Sequence, residues 1–548
     1  MGVKAYKRLL VLLCVLAILL SSLSSCTGIL LFSNVLLGQN APAADLPVSE
    51  KLAYTLTEAD RQSFLEALEA VESLILVKRS ASGREITAAC EKMENAYYHV
   101  ATQTELAYIY HCLNMADSEK SEAYLYASEM QSDLYAAYEA ACKRIDASDA
   151  PGRSVFFADW SEEDLEAMRG YSTEYNAIKQ QNERLLVTYR SLSKSESYDR
   201  APELYLQIVE NNNRIAALYG YQNYSDYAYA KVYERDYTPE DAETIHQSVK
   251  SILVPLCQTA LAKFQEGYAA LGSGERSVVR ALLEGEYGNA WGLFEEYFAS
   301  FPKEAANKMT SLFQSGNLFL TSAENADPGA FTTYLYEYDQ PVCYFGPGYH
   351  DGFTVIHELG HYISAFYTEG DLPMDIAETQ SQANEWLFTA YLDQMLQSRA
   401  LAQTVFYYQL HSALQSIVIS SIIDEFEQSV YRDVPASAEE LDQRMEEVCR
   451  GYGGLVSVKS LFADPMRYWR AVVLESPCYY ISYAFSMLAA MNFYQIATDS
   501  YSAAQSAYLE LVALDLKRGE SYCDWLKEQN LQTPFEESYY REIAAFVS

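Results

Sequence analysis

Thr354-Val355-Ile356-His357-Glu358-Leu359-Gly360-His361-Tyr362, followed by Asp375-Ile376-Ala377-Glu378-Thr379-Gln380-Ser381-Gln382-Ala383-Asn384-Glu385-Trp386, is the stretch on which the fold and chemistry of this chain turn. The first segment contains HExxH inside an apolar helical pattern. On a helix His357 and His361 lie one turn apart and point the same way, so both imidazoles reach one metal ion, and Glu358 stands beside them where it can hold a water. Two histidines do not hold a catalytic zinc; a third protein ligand is required, with one position left open. Glu378, 17 residues beyond His361, is the candidate. Gly370 and Pro373 are expected to end the first helix and Asp375 to cap the second, a short turn then setting Glu378 opposite the histidines. Asp375 and Glu378 also have the spacing of a capping box, which needs no metal. Glu385, two turns beyond Glu378 on the same face, can accept the second ring N–H of a ligand histidine, a plain surface glutamate being the default reading.

Outward from this segment the chain is mostly helical by pattern. Thr57 with Asp60 opens a helix in which Phe64, Leu65, Leu68, Val71, Leu74 and Leu76 recur near helical spacing. Similar runs cover about Ile86–Asn114, Ser118–Ile145 and Glu162–Leu192, separated by breakers such as Ala150-Pro151-Gly152, Gly272-Ser273-Gly274 and Asp327-Pro328-Gly329. Thr332–Phe345 reads as strand, folded back around Asp339-Gln340-Pro341. The expected class is mainly α, with one small β-sheet next to the HExxH helix.

Composition narrows the function. Among 548 residues there are 75 acidic and 39 basic side chains, a net charge of −36, which argues against nucleic acid as a partner. The long apolar run sits at the N-terminus, so a polytopic membrane protein is excluded. There Lys4, Lys7 and Arg8 precede the apolar Leu9–Leu20, and Leu23-Ser24-Ser25-Cys26 looks like a bacterial lipobox. Residues 1–25 are therefore expected to be a lipoprotein-type signal peptide, Cys26 the lipidated first residue of an exported, membrane-tethered protein, and 26–47 a linker. The eight cysteines beyond it, scattered without CxxC, carry no readable pairing.

HELGH followed by AETQSQANEW resembles the thimet oligopeptidase and oligoendopeptidase F family of zinc metallopeptidases. Gly329-Ala330-Phe331-Thr332-Thr333 and Tyr344-Phe345-Gly346 look like that family's substrate-side strand. Arg214-Ile215-Ala216 through Gly220-Tyr221, Tyr224 and Tyr237-Thr238-Pro239-Glu240-Asp241 look like its helical approach to the site. The resemblance covers roughly Tyr205 to the C-terminus. It implies a two-lobed helical metallopeptidase with a deep central channel, dividing the chain into an N-terminal helical region (48–200) and a catalytic domain (201–548). It implies one Zn2+ held by His357, His361 and Glu378, Glu358 as catalytic base, and Tyr483 with Tyr480 as transition-state donors on a late helix; Tyr479 neighbours them. Oligopeptides would be the substrates, met along an edge strand around Tyr344, and the membrane would be touched by the N-terminal anchor alone. Two departures stand out: the loop between His361 and Glu378 is short for the family, and Ala471-Val472-Val473-Leu474-Glu475-Ser476 has neither the His often found before the tyrosines nor a Tyr. That second departure keeps an alternative open, a surface lipoprotein that binds peptides on the same fold with little or no catalysis.

Overall fold

Among the described residues, three short strands are set into otherwise helical structure. The computed structural model describes residues 52–547, apart from 159, 161–164, 166–167, 170–172, 191–193, 285–290, 328, 348–350, 368–371, 397, 455–472, 475, 515 and 517–519. The export signal and linker expected for 1–47 thus lie outside the described residues, as do Tyr349, His350, Gly370 and part of the 471–476 stretch.

Seven helices carry the argument: α1 (Glu58–Glu72), α2 (Gly83–Leu113), α3 (Ser118–Asp146), α4 (Gly352–Ser364), α5 (Met374–Met395), α6 (Arg399–Arg432) and α7 (Ile481–Asp499). The first starts where the sequence predicts: Asp60 accepts the backbone N–H of Thr57 at 2.8 Å, a reciprocal capping box. Its buried residues Phe64, Ala67, Leu68 and Val71 recur at helical spacing, and sealing each large one from water is worth about 1.5–3 kcal/mol. Ser82 forms the same reciprocal box with Glu85 at the start of α2, and Asp117 caps α3 by accepting the N–H groups of Glu119 and Lys120. The run predicted over Glu162–Leu192 is a helix at Thr173–Arg190.

Apolar side chains between Leu56 and Met168 form one core and those between Ile178 and Ile543 a second, larger one. A third cluster sets Leu106, Ile109 and Cys112 of α2 against Phe319, Phe331, Leu335, Val342 and Tyr344 of the sheet. The cysteines Cys90, Cys112, Cys142, Cys257, Cys343, Cys449, Cys478 and Cys523 are buried, and no disulfide joins any two of them. No helix among the described residues is long and apolar enough to cross a membrane.

The sheet consists of β1 (Leu318–Leu320), β2 (Ala330–Leu335) and β3 (Gln340–Phe345) in the order β1-β3-β2, with β1 parallel and β2 antiparallel to β3. The predicted hairpin is there, but its reversal is a turn of 3-10 helix at Tyr336–Tyr338 closed by Asp339 at φ +51°, so Gln340 and Pro341 belong to β3. The expected edge strand is corrected. Tyr344 lies on the central strand, paired on both sides, fully buried, its hydroxyl donating to Cys112 O and Asp327 O at 2.9 and 2.8 Å. The edge facing away from β1 is β2. Gly346 N donates to Gly329 O at 2.7 Å, which fixes the hydrogen-bonded pairs at Phe331, Thr333 and Leu335. By alternation Ala330, Thr332 and Tyr334 turn their N–H and C=O away from β3, towards the open edge.

Candidate metal and catalytic site

Helix α4 begins at Asp351, whose carboxylate accepts the N–H groups of Phe353 and Thr354 at 3.0 Å each and the Thr354 hydroxyl at 2.6 Å. It packs on α5 at unusually close range. A Cβ built on Gly360 would stand 2.5 Å from Ser381 Cα and 3.1 Å from Gln380 O, so only glycine fits at this crossing. Asn384 of α5 donates to Ile356 O at 2.7 Å and is itself held by the Tyr297 hydroxyl at 2.6 Å. The two helices are thereby fixed in register at the turn that carries the histidines.

That packing brings His357, His361 and Glu378 together. Their ligand atoms lie within 4.8 Å of one another, the one such group among the described residues. His357 Nε2 and Glu378 Oε2 are 3.5 Å apart, as two ligand atoms stand across one ion at bond lengths of about 2.0–2.1 Å. Both atoms are buried and neither has a hydrogen-bond partner, although buried polar groups are normally satisfied. An imidazole nitrogen and a carboxylate oxygen left without hydrogen bonds, with a second imidazole beside them, fit a divalent ion of zinc type. The other nitrogen of His357, Nδ1, lies 2.7 Å from Glu385 Oε1, and Glu385 Oε2 accepts from Gln409 Nε2 at 2.6 Å. Glu385 is therefore buried, not on the surface, and it directs Nε2 of His357 at Glu378.

The electrostatics follow from crowding acids and imidazoles in a dry space. Burial opposes charge on His357, but the Glu385 hydrogen bond and the charges of Glu385, Glu378 and Glu358 lift it to about 9. Burial, reinforced by His357, drives His361 down to about 3, leaving its ring neutral with a lone pair free to donate. Burial pushes Glu378 up to about 7; His357 opposes this, and Glu358 and Glu385 add to it. Glu358, on the same helix, is also buried and raised by that burial, while His357 and the Thr332 hydroxyl hold it back. Thr332 of β2 donates to Glu358 Oε2 at 2.9 Å, aiming the carboxylate from the edge strand.

Tyr483, in the first turn of α7, stands near enough to Glu378 to hold its carboxyl pKa down against burial, and its hydroxyl accepts from the Tyr479 hydroxyl at 3.3 Å. Tyr480 packs edge-on against Tyr479 and Tyr483, its ring centroid 6.0 and 5.7 Å from theirs. The late helix begins at Ile481, so Tyr479 and Tyr480 belong to its approach, which passes through Cys478 at φ +63° with the Cys478 N–H donated to Glu427 at 3.0 Å. Asp375 does not cap α5; Pro373 occupies that position, and Asp375 is buried 3.9 Å from Arg235 Nε. Glu378, 4% exposed and turned to the histidines, is no part of a capping box. Sequence reasoning passed over Thr332, Gln409 and Arg235. The remaining described histidines have partners elsewhere: His246 with Asp424, His411 with Cys257 O, His99 with Glu337 and His111 with Ser121.

No family model and no curated protein matches the sequence. Solved structures do match in fold. PZ peptidase A with an inhibitor superposes at a TM-score of 0.66 and 17% identity, covering 90% of this chain and 98% of that one. A Bacillus anthracis protein provisionally named oligoendopeptidase F gives 0.64 and 17%, covering 92% and 98%. Oligoendopeptidase F from Enterococcus faecium gives 0.51 and 13%, covering 89% and 97%. The fold is oligoendopeptidase F-like, mainly α with one small sheet, over nearly its whole length.

Proposed function

We propose that this chain is a zinc-dependent endopeptidase hydrolysing short peptides. The observation that carries the reading is the pair of buried, partnerless ligand atoms, His357 Nε2 and Glu378 Oε2, converging with His361 where Glu358 is also aimed. His357, His361 and Glu378 would hold the zinc, which when bound acidifies a water and polarises the scissile carbonyl. Glu358 takes the proton of the attacking water and returns it to the leaving amine; burial raises its pKa, bringing its basicity nearer to neutral pH. Thr332 keeps that carboxylate turned to the reacting face. Tyr483 donates its hydroxyl to the developing oxyanion, with Tyr480 the second candidate donor; removal of one such donor costs about 10²–10³ in rate. The open edge of β2, through the backbone groups of Ala330, Thr332 and Tyr334, accepts an extended peptide by strand addition, which reads backbone and tolerates many sequences.

The N-terminal segment supports export and lipid attachment at Cys26, checked by mass spectrometry of the mature N-terminus. Activity is tested by metal analysis with cleavage of quenched-fluorescent peptides. One zinc per chain, hydrolysis abolished by chelator, and Glu358→Gln keeping the metal but losing turnover are expected. A metal-free wild type refutes the site. Tight peptide binding with no cleavage at any pH replaces this reading by peptide capture, which the absence of His and Tyr from Ala471–Ser476 favours.

A further inference from the structure

Arg235 is buried far from any conventional ion pair. Its side chain is sealed from solvent, its nearest carboxylate oxygen, Asp375 Oδ1, is 3.9 Å away, and its Nε and Nη1 have no hydrogen-bond partner. A buried cation held so loosely costs stability unless the site needs it for something else. Its charge is instead enclosed by rings, those of Tyr229, Tyr233 and Tyr237 lying with centroids 4.3, 4.5 and 5.9 Å from the guanidinium carbon.

Of the two hydrogen bonds that Arg235 makes, one goes to the approach to α7 and the other to its first turn. Nη2 donates to Tyr479 O at 3.1 Å and to Ser482 Oγ at 2.9 Å. Asp375, whose Oδ1 is that carboxylate oxygen 3.9 Å from Arg235 Nε, lies one turn before Glu378 on α5. The cage is tied to the same segment, since Tyr233 donates to Pro477 O at 2.8 Å and Tyr237 stacks on Phe485 at 4.8 Å. The node thus grips residues 477–482 on one side and the start of the Glu378 helix on the other. Tyr483 is the next residue.

We infer that Arg235 is the positioning residue for Tyr483, fixing the phenol beside the Glu378 helix through its grip on Tyr479 O and Ser482 Oγ and its contact with Asp375. This inference rests on the peptidase reading for its kinetic arm and not for its binding arm. Lysine in place of Arg235 keeps the charge within the aromatic cage but lacks the planar fork that spans Tyr479 O and Ser482 Oγ.

The test uses the zinc-loaded full chain with Arg235→Lys, Ser482→Ala and Tyr483→Phe, singly and combined. Arg235→Lys is expected to lower kcat about 10–100-fold with KM within about threefold and zinc content unchanged, a loss bounded by that of a whole oxyanion donor. Affinity for a phosphinic peptide, which mimics the tetrahedral intermediate, should fall in parallel, whereas an uncleavable N-methylated peptide binds as before. Adding Tyr483→Phe to Arg235→Lys should cost little more, because both act through one phenol. Ser482→Ala leaves the buried charge untouched and should reproduce a smaller loss, so the inference stays testable should Arg235→Lys misfold. Wild-type kcat and wild-type phosphinate affinity in either variant, or full additivity with Tyr483→Phe, overturns it. If the wild type cleaves nothing the peptidase reading fails on its own, and the phosphinate affinities still decide the role of Arg235.

Discussion

Replacing Gly360 by alanine sets two effects of opposite sign against each other. On an isolated helix the change would stabilise by about 1 kcal/mol, glycine being the poorer helix former. Here the new Cβ would meet Ser381 Cα at 2.5 Å, and ordinary contact begins at 3.4 Å, so α4 and α5 must part by about 0.9 Å. The obstacle is backbone, so no rotamer change relieves it, and overpacking of this kind costs about 1–3 kcal/mol. The clash wins. Its larger consequence falls on the metal, because Ser381 lies one turn from Glu378 and ligand distances tolerate only about 0.2 Å. Gly360→Ala should therefore bind zinc about 10–100-fold more weakly, the range seen when a supporting group of a metal site is lost. Far-UV circular dichroism should remain near wild type. Competition with a fluorescent chelator measures the affinity, and Ser381→Gly should not rescue it, since the contact is with Cα. Zinc affinity within threefold of wild type, at an unchanged melting temperature, would refute the argument that helix proximity sets the ligand geometry.

Three other outcomes are expected. Glu385→Gln leaves one acceptor oxygen for two donors, His357 Nδ1–H and Gln409 Nε2–H; zinc affinity should drop about 10–100-fold by titration, and Gln409→Ala should cost less. Glu94, 3% exposed, is pushed up to about 7 by burial and then by the charge of Glu91. Its folded pKa exceeds its unfolded value, so the stability it contributes is complete below about pH 4.5 and lost as pH rises through about 7. Melting curves should show Glu94→Gln gaining on wild type across that window, by on the order of 3 kcal/mol. Chelation should lower the melting temperature, since free zinc at about 100 times its Kd stabilises by about 2.7 kcal/mol, and His361→Ala should erase the difference between metal-loaded and metal-free protein.

What could be read from the sequence was local. His357, Glu358 and His361 declare their shared face through a spacing of one turn, and the capping box at Thr57 is closed by a residue three positions away. Glu378 was within reach because a short connection leaves α5 few ways to pack against α4. The failures were non-local. β1 is three residues, Leu318-Phe319-Leu320, too short to show alternation, and it pairs in parallel with a strand 25 residues on, so strand order and the true edge could not be read. Arg235 contacts Ser482 across 247 positions and Gln409 reaches Glu385 across 24; nothing in their own neighbourhoods marks either. The surface default for Glu385 failed for a related reason. Helix α5 is covered on every side from Asp375 to Leu392, apart from Ala377, and periodicity cannot signal burial when polar residues face inward all round.

That inward polarity separates structure from chemistry within one helix. Gln380 donates to Leu511 O at 3.0 Å, Gln382 accepts from Ser486 at 2.8 Å, Asn384 bridges Ile356 and Tyr297, and Glu385 spends both oxygens on His357 and Gln409. Each is satisfied by a partner from a distant part of the chain, so each specifies how α5 sits among its neighbours. Among the described residues of α5, two buried carboxylate oxygens lack a hydrogen bond: Oε2 of Glu378 and Oδ1 of Asp375. One faces the orphaned nitrogen of His357, the other the guanidinium of Arg235. A helix that satisfies its other buried side chains so thoroughly has the means to satisfy these. Leaving them open costs about 1–3 kcal/mol apiece, a cost consistent with one oxygen reserved for a cation and the other placed to fix the segment that carries Tyr483.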